Sequence, residues 1–464
     1  MTPVTPSYKK DNFLSTSTLT LVAFSTVFFS RTLDALGAPS LINFAHFAFV
    51  PLAFVLALVN MRARDRKQIT AVKTLFITLF IFLAVNLISA LVNGSGLINV
   101  ILNFLLFTEP FMMLVAVTSM SVSSKRIQQL KNWIAVFAIY NLVLVYFQQY
   151  VLGTINPDYL YGAFFSNAGA TVSSIVSLIF AIYYLASEKT KPLWFRIAIA
   201  IAVFWQIIIS DTKLVLGSFI VGFILFSLSK INAKTLIYVI AGAFLFLLFF
   251  WALENVPFLE AYALWIKPEQ LTDFNSEFYR AKLMAFEKVP EYYDSTLGYI
   301  FGLGPGHGVS RLGGWMMDKY SYLLDPIGAT HPFLEMRDDI MYAASLESRD
   351  VMGTAMYGPL FSWSGLWSDL GIVGTISYVL IWIAVWRCYC LHDFSRLLVL
   401  ATLVTGLFPG YLEEPGSMLF TTFVIGLWWH EQRRYQSKKS LKRLRLHPSS
   451  NAQAASYVTI NASE

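Results

Sequence analysis

The stretch "FWQIIISDTKLVLGSFIVGFIL" (204–225) is apolar at both ends and broken in the middle by Asp211 and Lys213. A lysine at the centre of a bilayer costs at least about 2.5 kcal/mol. The two ions therefore belong at a membrane surface, or they do work there. Other residues with chemical potential gather in one polar segment. "GLGPGHG" (302–308) could turn backbone N–H groups of Gly304 and Gly306 toward a phosphate. A plain bend of the chain is the alternative, because no strand–helix phosphate-loop context surrounds it. Arg280, Arg311, Arg337 and Arg349 carry the planar fork that suits phosphate. His307, His331, Glu335 and Asp369 are the groups that could move a proton. Each of these also has an ordinary reading as a loop charge or a satisfied polar side chain.

The elements that must position them follow from composition. Of 464 residues, 56% are hydrophobic and 13% charged, which excludes an ordinary soluble domain. Apolar stretches approach the ~20 residues needed to cross a bilayer, without period-two alternation, so the expected fold is an all-α polytopic membrane protein. Twelve spans are predicted, at 17–37, 41–60, 70–92, 97–119, 132–152, 167–187, 195–210, 214–229, 235–253, 363–386, 396–411 and 418–430. The first apolar run lacks a small-residue cleavage site, so no cleaved signal is expected. Cys388 and Cys390 offer no disulfide framework and a weak metal argument, so no metal is expected. Lys and Arg concentrate in alternate connections, which places the N-terminus and the basic tail in the cytoplasm. Among the short outer segments only Arg31 and Lys213 are basic. The division is then 1–253 (nine spans), 254–362 (a large outer loop with short helices), 363–430 (three spans) and 431–464 (basic tail). The loop holds 15 acidic and 8 basic residues, and a loop of that length is usually functional. The net charge of +6 is carried largely by the tail, which suits lipid headgroups; no nucleic-acid partner is expected. "SDTK" becomes the tight outer turn of a helical hairpin.

Three stretches carry a family resemblance. "FYRAKLMAFEKVPEYYDSTLGYIFGLGPGHG" (278–308) holds an Arg, a short helix and then a G-x-G-P-G pattern; "GAFFSNAGATVSS" (162–174) is a G-x-F-x-N segment; "LWSDLGIVGTISYV" (366–379) leads into a span. In this order, with one large outer loop late in the chain, they resemble the O-antigen ligase and polymerase family of bacterial envelopes. The resemblance implies a GT-C-like glycosyltransferase architecture in the inner membrane. It implies transfer of a glycan from undecaprenyl pyrophosphate on the outer side, with no metal and no cofactor. Fixed cations would then stabilise charge on the diphosphate leaving group, and Lys213 and Arg280 are the implied pair. The family pattern usually has Arg where Lys213 stands, which loses the bidentate fork. Asn167, Gly304, Gly306, His307, Arg311 and Arg337 would contact substrate, and the base stays open among His331, Asp369, Glu335 and His307. Ligases of the family resemble one another in a His shortly before the span after the loop. "YGPLFSWSGLWSDLG" (357–371) has none, which favours a polymerase of lipid-linked repeat units over a ligase acting on lipid A core or protein. The implied partners are the lipid-linked glycan, membrane lipids, and a chain-length regulator and flippase of the same pathway. A transporter is the reading from another class; no repeated halves or paired mid-span breaks favour it.

Overall fold

The computed structural model describes residues 16–61, 66–120, 123–165, 168–230, 273–347, 358–408 and 410–446, with residues 248, 251 and 255. The predicted span 235–253 and Asn167 fall outside the residues described. Among those described there is no strand. Six helices are long and apolar enough to cross a membrane.

Numbered in chain order, the helices of the first part are α1 (Thr16–Ala35), α2 (Ala45–Val59), α3 (Arg66–Asn93), α4 (Leu97–Ser119), α5 (Ser124–Tyr150), α6 (Gly169–Ser187), α7 (Leu193–Ile209) and α8 (Lys213–Leu228). A 3₁₀ turn, Ser40–Phe44, leads into α2. The loop contributes α9 (Glu277–Lys288), α10 (Leu297–Phe301), α11 (Met317–Leu324) and α12 (Met336–Glu347). The last part is α13 (Ser362–Cys388), α14 (Asp393–Thr405) and α15 (Pro415–Leu446). The described spans match their predicted positions within a few residues, apart from three ends. α5 begins earlier than expected, where Ser123 caps it by accepting from the Arg126 N–H at 3.3 Å. α14 stops at Thr405. The last span and the basic tail are one continuous helix to Leu446.

α4 is the centre of the bundle. It packs against α2, α3 and α15, and every residue from Leu106 to Ser119 is buried. The outer faces of α3, α5, α7 and α8 instead expose large apolar side chains, such as Phe76, Phe80, Leu87 and Leu91 on α3. Apolar surface facing lipid gains nothing by contact with another helix, so association there depends on close packing. Gly222 of α8 shows this: a Cβ at that position would lie 2.7 Å from the Ala401 Cα of α14. "SDTK" is the predicted tight turn, with Asp211 at φ 49° between α7 and α8.

The loop has a core of its own. Ala281, Met284, Ala285 and Val289 meet Met336, Ile340 and Ala344, so α9 and α12 pack as a pair. A second cluster docks the loop on the bundle: Leu312, Met316, Met317, Tyr320 and Leu324 bury against Leu102 and Leu106 of α4. The connections sort to two ends. The 94–96 turn and the 411–415 turn touch the loop, whereas Lys131, Glu188 and Glu431 meet at the far end.

Candidate functional site

Asp369 organises the loop end. Its carboxylate is fully buried and accepts from Asn103 Nδ2 (2.6 Å), Ser310 Oγ (2.7 Å) and the backbone N–H groups of Gly306 and Gly308 (2.9 Å each). The Leu303 and Gly304 N–H groups donate to the carbonyls of Ser368 and Asp369 (2.8 and 3.0 Å). α13 bends at Gly371 (φ 63°), facing Gly302 (φ 72°). A Cβ on either glycine would come within 2.4 Å of the opposing backbone, so the two strands of chain meet only as glycines. This corrects two sequence expectations. The amides of "GLGPGHG" are spent on a protein carboxylate, not held out to a phosphate. Asp369, closed off from any acceptor, anchors the loop instead of acting as a base. Gly304 and Gly306 contribute turns of positive φ, at 108° and 70°.

The clasp leaves space on either side. One side is a polar cleft of about 380 Å³, walled by Asn93 at the end of α3, Tyr292, Asp294 and Ser295, with His307 and Phe333. That size is within the range of small-molecule sites. His307 Nδ1 lies 3.1 Å from the Leu303 carbonyl and its Nε2 lies 2.7 Å from Thr330 Oγ1. The carbonyl can only accept, so Nδ1 carries the proton and Nε2 accepts from the threonine. Burial pushes this imidazole down to about 4, against the Leu303 bond, and His331 lowers it further. His307 is thus a neutral, fully engaged part of the wall.

On the other side, a π-helical turn, Leu312–Met316, presents Trp315. Three cations surround its ring: Arg311 at 5.2 Å, Lys319 at 5.3 Å and Arg31 of α1 at 5.6 Å from the centroid. Each is within cation–π range. Arg311 is also tied to the 411–415 turn. Its backbone N–H donates to Glu413 Oε2 (2.7 Å), and its guanidinium pairs with Glu414. Burial first, then the like charge of Arg31, push the Arg311 guanidinium down to about 9. It keeps its proton at neutral pH. Burial likewise pushes Glu413 up to about 8, so this acid is largely uncharged at neutrality. Among the described residues, neither Arg31 nor Lys319 has an ion-pair partner. The cleft between α1, α2, α4 and this turn is also lined by Asn43 and His46, and it has about 20 Å³ of open space.

The remaining sequence candidates do not converge. Lys213 pairs with Asp211 at 2.7 Å on the hairpin tip, where α8 packs on α14. Arg280 pairs with Glu347 at 3.2 Å, its side chain 55% exposed, on α9, which packs on α12. Among the described residues, the two expected cations pair with different acids. His331 lies 3.1 Å from Asp325. Arg337 donates to the Gly314 carbonyl at 3.0 Å, propping the turn that carries Trp315. Of the expected residues, only Arg311 joins the cationic cleft. Arg31, His46 and Lys319 are not among the sequence-expected site residues, whereas Trp315 is one of the loop aromatics that suit stacking on sugar faces. Arg31 left one signal, a basic residue in an outer segment otherwise nearly free of them.

A scan against protein-family models finds none that matches this chain, and no curated protein matches it. What fold and site define is an all-α membrane-embedded protein with a polar loop clasped to one end of its bundle.

Proposed function

We propose that the protein is an inner-membrane glycosyltransferase that joins undecaprenyl-pyrophosphate-linked repeat units on the outer face of the membrane. It would act as a polymerase for O-antigen or exopolysaccharide. The observation that carries this reading is the set of three cations around Trp315, two of them without an acid partner among the described residues. Cation–π contact holds a charge in place without neutralising it. Like charges gathered this way are relieved by a multiply charged anion, and a diphosphate fits that need. Two of the three are arginines, whose forks bind phosphate bidentately.

The donor's diphosphate then lies over the π turn once Trp315 swings aside, with its lipid chain running along α1 and α2. Its sugars pass over residues 302–316 toward the polar cleft beside His307. As the anomeric C–O bond breaks, negative charge grows on the diphosphate, and Arg31, Arg311 and Lys319 stabilise it. The Asp369 clasp keeps the whole segment rigid, which preserves the geometry those cations need. The basic connections and tail at the opposite end support a cytoplasmic placement of that end.

Product analysis tests the reading. Purified protein given a defined lipid-linked repeat unit should yield lipid-linked products of two or more repeats. Transfer only onto lipid A core or a protein acceptor would make it a ligase. Movement of the intact lipid-linked unit across vesicles without any new bond would make it a transporter.

A further inference from the structure

The cationic cleft contains a second kind of group. His46 stands in the first turn of α2, and its Nδ1 lies 2.7 Å from Glu109 Oε2 of α4. Both side chains are nearly withdrawn from solvent, at 7% and 1% exposure. With Glu109 ionised its oxygen only accepts, and the neutral imidazole then carries its proton on Nδ1 and keeps a lone pair on Nε2. That Nε2 makes no hydrogen bond among the described residues, and His46 forms part of the cleft wall. Glu109 keeps a second oxygen, Oε1, buried and without a hydrogen-bond partner among those residues. A simple pin between α2 and α4 would not need an imidazole with one nitrogen directed to a cleft. The same cleft already holds Arg31 and Arg311.

We infer that His46 is the general base that activates the acceptor hydroxyl, with Glu109 as the residue that orients it. This deepens the glycosyl-transfer reading and rests on it. In the step, the acceptor O–H proton passes to His46 Nε2 while the acceptor oxygen bonds to the donor's anomeric carbon. The bond from that carbon to the phosphate oxygen breaks, and its electron pair leaves with the lipid diphosphate. The imidazolium, held by Glu109, later returns its proton to water or to the leaving diphosphate. The polar groups that line the cleft with this base are Arg31 of α1, Asn43 of the 3₁₀ turn, and Arg311 and Tyr320 of the loop, and Glu109 of α4 contacts it directly. The cations are already arranged for the diphosphate, so the one acid in direct contact with the imidazole is Glu109.

The experiment measures turnover, donor binding and thermal unfolding of the full chain in detergent with a defined lipid-linked repeat unit. His46→Gln should lower turnover by about 10²–10⁴-fold, with donor binding and unfolding temperature unchanged. Glu109→Gln should lower turnover with donor binding and unfolding temperature unchanged, because the imidazole loses the carboxylate that holds its orientation. Glu109→Asp should restore part of the rate. Wild-type turnover with His46→Gln within about threefold of it would overturn the base and leave the polymerase reading standing. Parallel loss of rate, donor binding and unfolding temperature in His46→Gln would also overturn it, making the pair a structural pin. A wild type that never lengthens the glycan would overturn both.

Discussion

The two ends of this bundle treat buried charge in opposite ways. At the end away from the loop, one lysine, Lys131, is bracketed by Glu188 at 2.5 Å and Glu431 at 2.8 Å, and joins α5, the α6–α7 connection and α15. At the loop end, Arg31, Arg311 and Lys319 crowd one indole, with Glu414 as the one carboxylate paired to them and Glu413 pushed toward its neutral form. A cation enclosed by acids is a lock: it has its counter-charge and nothing to gain from a ligand. A cluster of cations with too few acids is incomplete without an anion. The comparison therefore separates charge neutralised within the protein from charge that an anion would complete, and it does so without relying on how exposed each residue is.

The comparison can be broken from either side. Lys131→Met leaves Glu188 and Glu431 buried together without their cation. The expected cost is about 3–5 kcal/mol of stability, read as a lower unfolding temperature, while the activity of the molecules that remain folded stays near wild type. At the other end, Arg311→Lys keeps a charge but loses the fork and the guanidinium's reach to Glu414. A drop of about 10²–10³-fold in turnover is expected at near-normal unfolding temperature. If both variants lose stability alike, the distinction between lock and anion site fails.

Lys282 sharpens the contrast, because it is a cation with neither acid nor open cleft. It is 8% exposed, lies 4.8 Å from the Phe361 ring and 5.4 Å from that of Phe408, and its Nζ has no hydrogen-bond partner among the described residues. Burial pushes it down to about 7. Its folded value is below its unfolded one, so the unfolded chain binds more protons between about pH 7 and 10.5. Stability should therefore rise with pH across that window, and the penalty is complete below it. Lys282→Met should stabilise the protein by about 1–4 kcal/mol at pH 7, and the gain should shrink by pH 10 in thermal unfolding. The smallest effect belongs to Arg280. Its exposed pairing with Glu347 predicts a stability change of about 0–1 kcal/mol for Arg280→Ala and chain lengthening within about threefold of wild type. Loss of polymer in that variant would return Arg280 to the centre of the reaction.

How much of this was legible in advance follows from the kind of interaction. Helix positions were, because a span is a local property of some twenty consecutive side chains; α4 was placed at 97–119 and lies at Leu97–Ser119. The α9 helix is legible too, since a serine stands at its start and apolar residues recur at helical spacing over 276–289. The clasp was not, since Asn103 and Asp369 lie 266 residues apart and no local pattern links them. Lys213 and Arg280 drew attention because each interrupts a local pattern, yet local contrast cannot tell a cation already paired from one awaiting a ligand. Both have acids beside them in space, Asp211 and Glu347.

Composition and hydropathy by themselves determined that this chain is a helical membrane protein, with a polar segment set between two groups of apolar helices. Those are one-dimensional quantities, governed by transfer from water to lipid. Which charges are spent and which are held open was decided only when the loop closed on α4 and α13. That depends on distances between residues far apart in the chain, and Coulomb and hydrogen-bond energies act through those distances, not through sequence position.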